Sequence, residues 1–111
     1  MKYMALIYGN EEAWDALSEE EQQQVTERYM ALAREPVTVG GDELQDPDTA
    51  TTIRVRDGET LTTDGPFAET KEQLGGYYLI DCASLDEALE FAARIPAAER
   101  GAVEVRPVVE R

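Results

Sequence analysis

The sequence predicts an α+β domain: an antiparallel sheet with helices on one face and a second copy of the chain on the other. Three observations carry this reading. Lys2–Tyr8 and Gly76–Cys82 are strand-like and apolar on both faces, as in strands covered from both sides. Two amphipathic helical segments alternate with strands. A strong two-residue turn, Asp57-Gly58, marks a hairpin inserted between the two halves. At 111 residues, with no repeat or linker, the chain reads as one domain spanning 1–111.

The elements follow in order. Lys2–Tyr8 places Tyr3, Ala5 and Ile7 on one face and Met4, Leu6 and Tyr8 on the other. Its apolar run is too short for a secretory leader, so it is taken as a first strand of a cytoplasmic protein. Gly9-Asn10 ends it, and Glu11–Leu17 reads as a short helix carrying Trp14. Ser18 and Glu21 form a capping box for a longer helix with Val25, Tyr29, Leu32 and Ala33 inward; Pro36 stops it. Val37–Leu44 is a short irregular strand through Gly40-Gly41. The loop Gln45–Ala50 follows. Asp42, Glu43, Asp46 and Asp48 do not match the calcium-loop spacing and read as solvated.

Thr51–Arg56 and Glu59–Thr63 form the hairpin, with Arg54 and Arg56 near Glu59 as an exposed ladder. After Gly76–Cys82, Ser84 and Glu87 suit a second capping box. The helix 85–95 then has Leu85, Ala88, Leu89, Ala92 and Ile95 as its expected buried stripe. Ala102–Val109 alternates and contains Pro107, the mark of an edge strand. The order is β-α-β, hairpin, β-α-β, which fits a ferredoxin-like βαββαβ core with an inserted β-hairpin. The helices hide one sheet face, so the expected assembly is a homodimer packed sheet on sheet.

Composition narrows the chemistry. The net charge of −14, from 24 acids and 10 bases, opposes a nucleic-acid backbone. No apolar run reaches a membrane span. There is no histidine, which removes Ser-His and Cys-His catalysis and His–metal ligation. A lone cysteine, Cys82, forms no internal disulfide and reads as a buried apolar residue. No phosphate-cradling glycine motif is present. No metal or cofactor is therefore expected, although oxygen ligation of a hard cation stays open.

The densest chemistry lies in 64–72, DGPFAETKE, followed by EQLGGYYLID. Asp64-Gly65-Pro66 is a tight turn, and Phe67 is expected to anchor the loop in the core. The chain has two lysines, Lys2 and Lys71, so Lys71 among acids stands out. Two readings remain open. In one, Asp64 caps backbone amides and Lys71 pairs with Glu69 or Glu72 to pin the loop. In the other, Asp64 is a general base and Lys71 an anion or enolate stabiliser. Glu69, Glu72, Tyr8 and Tyr78 are the accompanying ligand-binding candidates. Gly75-Gly76 serves a close backbone approach or a positive φ.

DGPFAETKE, with MKYMALIYG, VGGDELQ, TTIRVRDG, GGYYLID and AARIPAA…GAVEVRPV in order, resembles the DGPF proteins of the YCII-related superfamily across nearly the whole chain. The segment LAREPVTVGG departs by being short between helix and strand. The resemblance implies a dimeric α+β barrel. It also implies cofactor-free chemistry on an unidentified small molecule, of the isomerase, lyase or hydrolase kind seen in muconolactone-isomerase-like barrels. The His–Asp pair of some YCII-like proteins has no histidine here; Asp64 alone matches its acidic half. The alternative implied is a non-catalytic ligand-binding or regulatory dimer with an extracytoplasmic-function sigma factor as partner.

Overall fold

The computed structural model describes residues 1–111. Strands β1 (Lys2–Gly9), β2 (Thr38–Glu43), β5 (Gln73–Asp81) and β6 (Ala102–Pro107) form one antiparallel sheet in the order β2-β5-β1-β6. Strands β3 (Thr51–Arg56) and β4 (Glu59–Asp64) form a separate hairpin. Four helices complete this mixed α+β architecture: α1 (Glu11–Asp15), α2 (Glu19–Ala33), α3 (Leu85–Ala93) and α4 (Ala97–Arg100). No helix is long and apolar enough to cross a membrane.

Register assigns the faces. Tyr3 lies opposite Ile80 and Ala5 opposite Tyr78, with Pro107 and Val105 across β1's other edge. These residues face the helices, and Tyr3, Ala5, Tyr78 and Ile80 join Leu32 of α2 and Ala88, Phe91 and Ala92 of α3 in one core. The alternate set, with Met4 opposite Leu79 and Leu6 opposite Tyr77, faces away and is only half-buried. Cys82 is buried, as expected for a small apolar residue.

Local chemistry starts the elements where the sequence places them. Asn10 caps α1, its side chain accepting from the Ala13 amide at 2.6 Å. The Ser18–Glu21 box is complete, with both hydrogen bonds at 3.1 Å. At α3, Ser84 accepts from the Glu87 amide, but the Glu87 carboxylate reaches back one residue further, to the Ala83 amide. At the hairpin turn Asp57 and Gly58 both have positive φ, the requirement of the I′ turn that matches strand twist.

Three packing expectations are corrected. Ala33 of α2 is exposed rather than inward, and Leu32 is that helix's buried residue. Helix α3 buries Ala88, Phe91 and Ala92, with Ile95 buried just beyond its end, whereas Leu85 and Leu89 are exposed. Phe67 is 75% exposed rather than core, with the Arg54 guanidinium 5.0 Å from its ring centroid. The reason is common to the loop and the hairpin: both stand away from the core. The molecule measures 45 × 43 × 19 Å with a radius of gyration of 15.8 Å. A compact chain of this length would have about 13 Å.

Arg94 forks onto Glu35 with contacts of 2.5 and 2.8 Å, tying the end of α2 to the end of α3. The Arg94 hydrogen bonds hold the Glu35 carboxyl below its ordinary value of 4.5. A lowered folded-state pKa stabilises the protein above that ordinary value and loses its effect as pH falls through the lowered one. Both groups are partly exposed, so Glu35→Gln is expected to cost no more than about 1 kcal/mol at neutral pH. In urea titrations the gap to the unmodified chain should close on acidification below the ordinary glutamate value. A gap that is constant with pH would contradict the ion-pair account.

Candidate functional site

A cleft of about 1030 Å³ opens between the α1–α2 layer and the β2–β5 side of the sheet. Its apolar lining includes Ile7, Trp14, Tyr29, Met30, Leu44 and Tyr78. Its charged lining is Glu11 and Glu12 from α1, Asp42 and Glu43 from the end of β2, Asp46 and Asp48 from the following turn, and Lys71. The helices supply one wall because Asn10 and Ser18 start them where the chain leaves β1. A bulge shapes the other wall. Ile7 pairs with Gly76 but Tyr8 pairs with Leu74, which leaves Gly75 as the extra residue on β5. A Cβ on Gly76 would lie 2.9 Å from the Asp42 carbonyl oxygen, so of the two roles open for this glycine pair, close approach is the one used.

Tyr78 is buried, and its hydroxyl donates to the Tyr29 carbonyl at 2.6 Å. Burial, helped by the neighbouring Tyr29, pushes its pKa up to about 12. The phenol therefore stays neutral and committed to α2, and it positions the cleft wall without transferring protons near neutral pH. The Tyr29 hydroxyl accepts in turn from the Ala97 amide at 3.2 Å. This chain of contacts fixes α2 against both β5 and α4.

The sequence-predicted site residues separate. Lys71 and Tyr78 line the cleft, while Asp64, Glu69, Glu72 and Tyr8 do not. Asp64 ends β4 at the foot of the hairpin, where its backbone pairs with Thr51. Neither Asp64 nor Lys71 takes part in any of the four ion pairs, and Lys71 pins neither Glu69 nor Glu72. The turn after Asp64 is held instead by the Gly65 amide donating to the Ala50 carbonyl and by Thr52 Oγ1 donating to the Gly65 carbonyl, both at 2.8 Å. Glu69 is exposed; Glu72 is half-buried, with Oε2 enclosed and without a hydrogen-bond partner.

Sequence reasoning missed Gln73. Its amide donates to the Ala68 carbonyl at 3.0 Å and to the Thr70 carbonyl at 2.7 Å. Thr70 Oγ1 also donates to the Glu72 carbonyl. The 65–72 loop is thus pinned through backbone acceptors, not salt bridges. The only local signal was an amide side chain between a glutamate and the first apolar residue of a strand. Because Asp64 and Lys71 share no contact, Asp64→Asn and Lys71→Met are expected to be additive in melting experiments within about 0.5 kcal/mol. A larger coupling would mean that the two carboxylate and ammonium groups do meet.

Comparison with known proteins places the whole chain in one family. The model of the YCII-related domain matches residues 1–111. The chain belongs to the YCII-related family. This YCII-related chain is also 46% identical over 114 residues to the uncharacterised protein R00369 of Rhizobium meliloti (strain 1021), covering 97% of the chain and 92% of that relative.

Proposed function

We propose that this YCII-related protein binds a small organic molecule in the cleft between α2 and β5. The observation that carries the reading is the cleft itself: about 1030 Å³, lined by both apolar and charged side chains. Small-molecule sites combine these features, apolar walls for affinity and a few polar groups for orientation. Cofactor-free turnover is the second reading, favoured by Lys71 lining the same space, where its ammonium is free to hold an anionic or enolate oxygen. Asp64 lies outside the cleft lining, so this reading assigns it no part in that chemistry.

The assembly we infer is a dimer of ferredoxin-like subunits closed into an α+β barrel. The strand order β2-β5-β1-β6, with helices on one face, supports the subunit fold. The half-buried Met4, Leu6, Tyr77 and Leu79 on the other face support the packing, since an apolar sheet face gains by leaving water. Light scattering at low micromolar concentration should give twice the 12.3 kDa chain mass. A folded monomer there would contradict the barrel.

A thermal-shift screen of small organic compounds tests the binding reading. A ligand at a hundred times its Kd stabilises the folded state by about 2.7 kcal/mol. Ala33 lines the cleft and is exposed, so Ala33→Trp projects an indole into the space with little disturbance of the core. Hits are expected to stabilise the unmodified protein and not the Ala33→Trp variant. Equal stabilisation of both would overturn the assignment.

A further inference from the structure

We infer that the cleft selects organic cations: molecules with an ammonium or guanidinium head and an apolar, preferably aromatic, body. The inference rests on the binding reading above and adds the ligand class.

Glu11, Glu12, Asp42, Glu43, Asp46 and Asp48 line the cleft against a single base, Lys71. Over the whole chain acids outnumber bases 24 to 10, and the cleft lining is at least as acidic as that. None of the six acids appears in an ion pair. Asp46 occupies the N-cap position of the Pro47–Thr49 turn, yet its side chain caps nothing. No ion pair or hydrogen bond of the fold engages these six carboxylates, which leaves them free to meet a ligand.

Repulsion between Glu11 and the Asp46–Asp48 turn points the same way. The Glu11 carboxyl is pushed above its ordinary value first by Asp46, then by desolvation, then by Asp48 and Asp15. A positive ligand head relieves that repulsion, whereas an anionic head adds to it. The carboxylates come from three separate segments, and no three acidic or other ligating side chains converge on a metal-sized point. A distributed rim of that kind suits a bulky, weakly hydrated cation better than a compact ion.

The walls supply the rest. Trp14 lies in the same short helix as Glu11 and Glu12, is 40% exposed, and lines the cleft with Tyr29 and Met30. Indole is the best neutral partner for a cation, and thioether and phenol surfaces accept its apolar body. Acid rim and aromatic wall therefore recognise the two ends of one molecule.

Trp14 is the only tryptophan, so its fluorescence reports on the cleft directly. Three probes of similar size separate the classes: benzyltrimethylammonium, benzyl alcohol and phenylacetate. The cation should bind at least about tenfold more tightly than phenylacetate at low salt, a difference of about 1.4 kcal/mol. Added salt should narrow that margin. In Glu11→Gln/Asp46→Asn/Asp48→Asn the margin should shrink to about twofold, with benzyl alcohol unchanged; Lys71→Met should instead tighten the cation. Phenylacetate binding as tightly as the cation, or a cation preference that survives the triple variant, would overturn the inference and leave the cleft as a ligand site. If no probe and no screened compound binds, the binding reading itself fails and this inference falls with it.

Discussion

Phe91→Ala is expected to cost about 3–5 kcal/mol, the range for truncating a buried aromatic. Phe91 is 2% exposed and sits where α3 meets the sheet. Its ring stands edge-to-face to Tyr78, with centroids 5.6 Å apart and an interplanar angle of 87°. Such pairs add to area burial. The Arg94 guanidinium covers the ring's outer side at 5.5 Å from the centroid, so the substitution opens a void beneath the Glu35–Arg94 bridge as well. With total stability of such domains near 5–15 kcal/mol, the variant should be marginal. Leu89→Ala, on the exposed side of the same helix, is the matched control and should cost under about 1 kcal/mol. Comparable losses in urea denaturation for the two would contradict the helix phase described here.

Gly101→Ala should cost about 2–3 kcal/mol, at the upper end of the overpacking range, because the obstruction is backbone. Gly101 follows α4, its amide donating to the Ala97 carbonyl at 2.6 Å. An added Cβ would overlap the Tyr8 carbonyl oxygen of β1, while lying 3.1 Å from Glu72 Oε2 and 3.2 Å from the Gly9 Cα. A central strand cannot rotate its carbonyl aside, so β1 or β6 must shift. Gly9→Ala places its Cβ in open space and should be tolerated. A Gly101→Ala melting temperature equal to that of Gly9→Ala would show that the strand ends yield freely.

What the sequence disclosed was mostly local chemistry. Ser18 with Glu21, and Asp57 with Gly58, determine a helix start and a turn within four residues, and both appear as read. Strand-like runs apolar on both faces, Lys2–Tyr8 and Gly76–Cys82, anticipated the central strand pair, although β5 begins earlier, at Gln73. The phase of α3 was not legible in the same way. Leu85, Ala88, Leu89 and Ala92 follow helical spacing as well as Ala88, Phe91, Ala92 and Ile95 do. The choice is made by the Tyr78 ring, which is distant in sequence.

The site divided along the same line. Lys71 and Tyr78, two of the candidates, line the cleft. Asp64 lies close to Lys71 in sequence, but hairpin geometry puts it at the foot of β4, outside the lining. Conversely, Asp46 and Asp48 read as solvated loop because nothing local gives them a partner. Only the fold brings Glu11 and Trp14 of α1 opposite them. Charge clusters assembled from separate segments leave no spacing to recognise.

The most direct test of the cleft as the functional site is a map of amide shifts in nitrogen-15-labelled protein. The probe is benzyltrimethylammonium, titrated to saturation. The account predicts that the perturbed amides cluster at Met30, Ala33, Leu44, Gly75 and Tyr78, which come together only around the cleft. Shifts confined to the outer sheet face at Met4, Leu6 and Leu79, or to the hairpin at Ile53 and Val55, would contradict it.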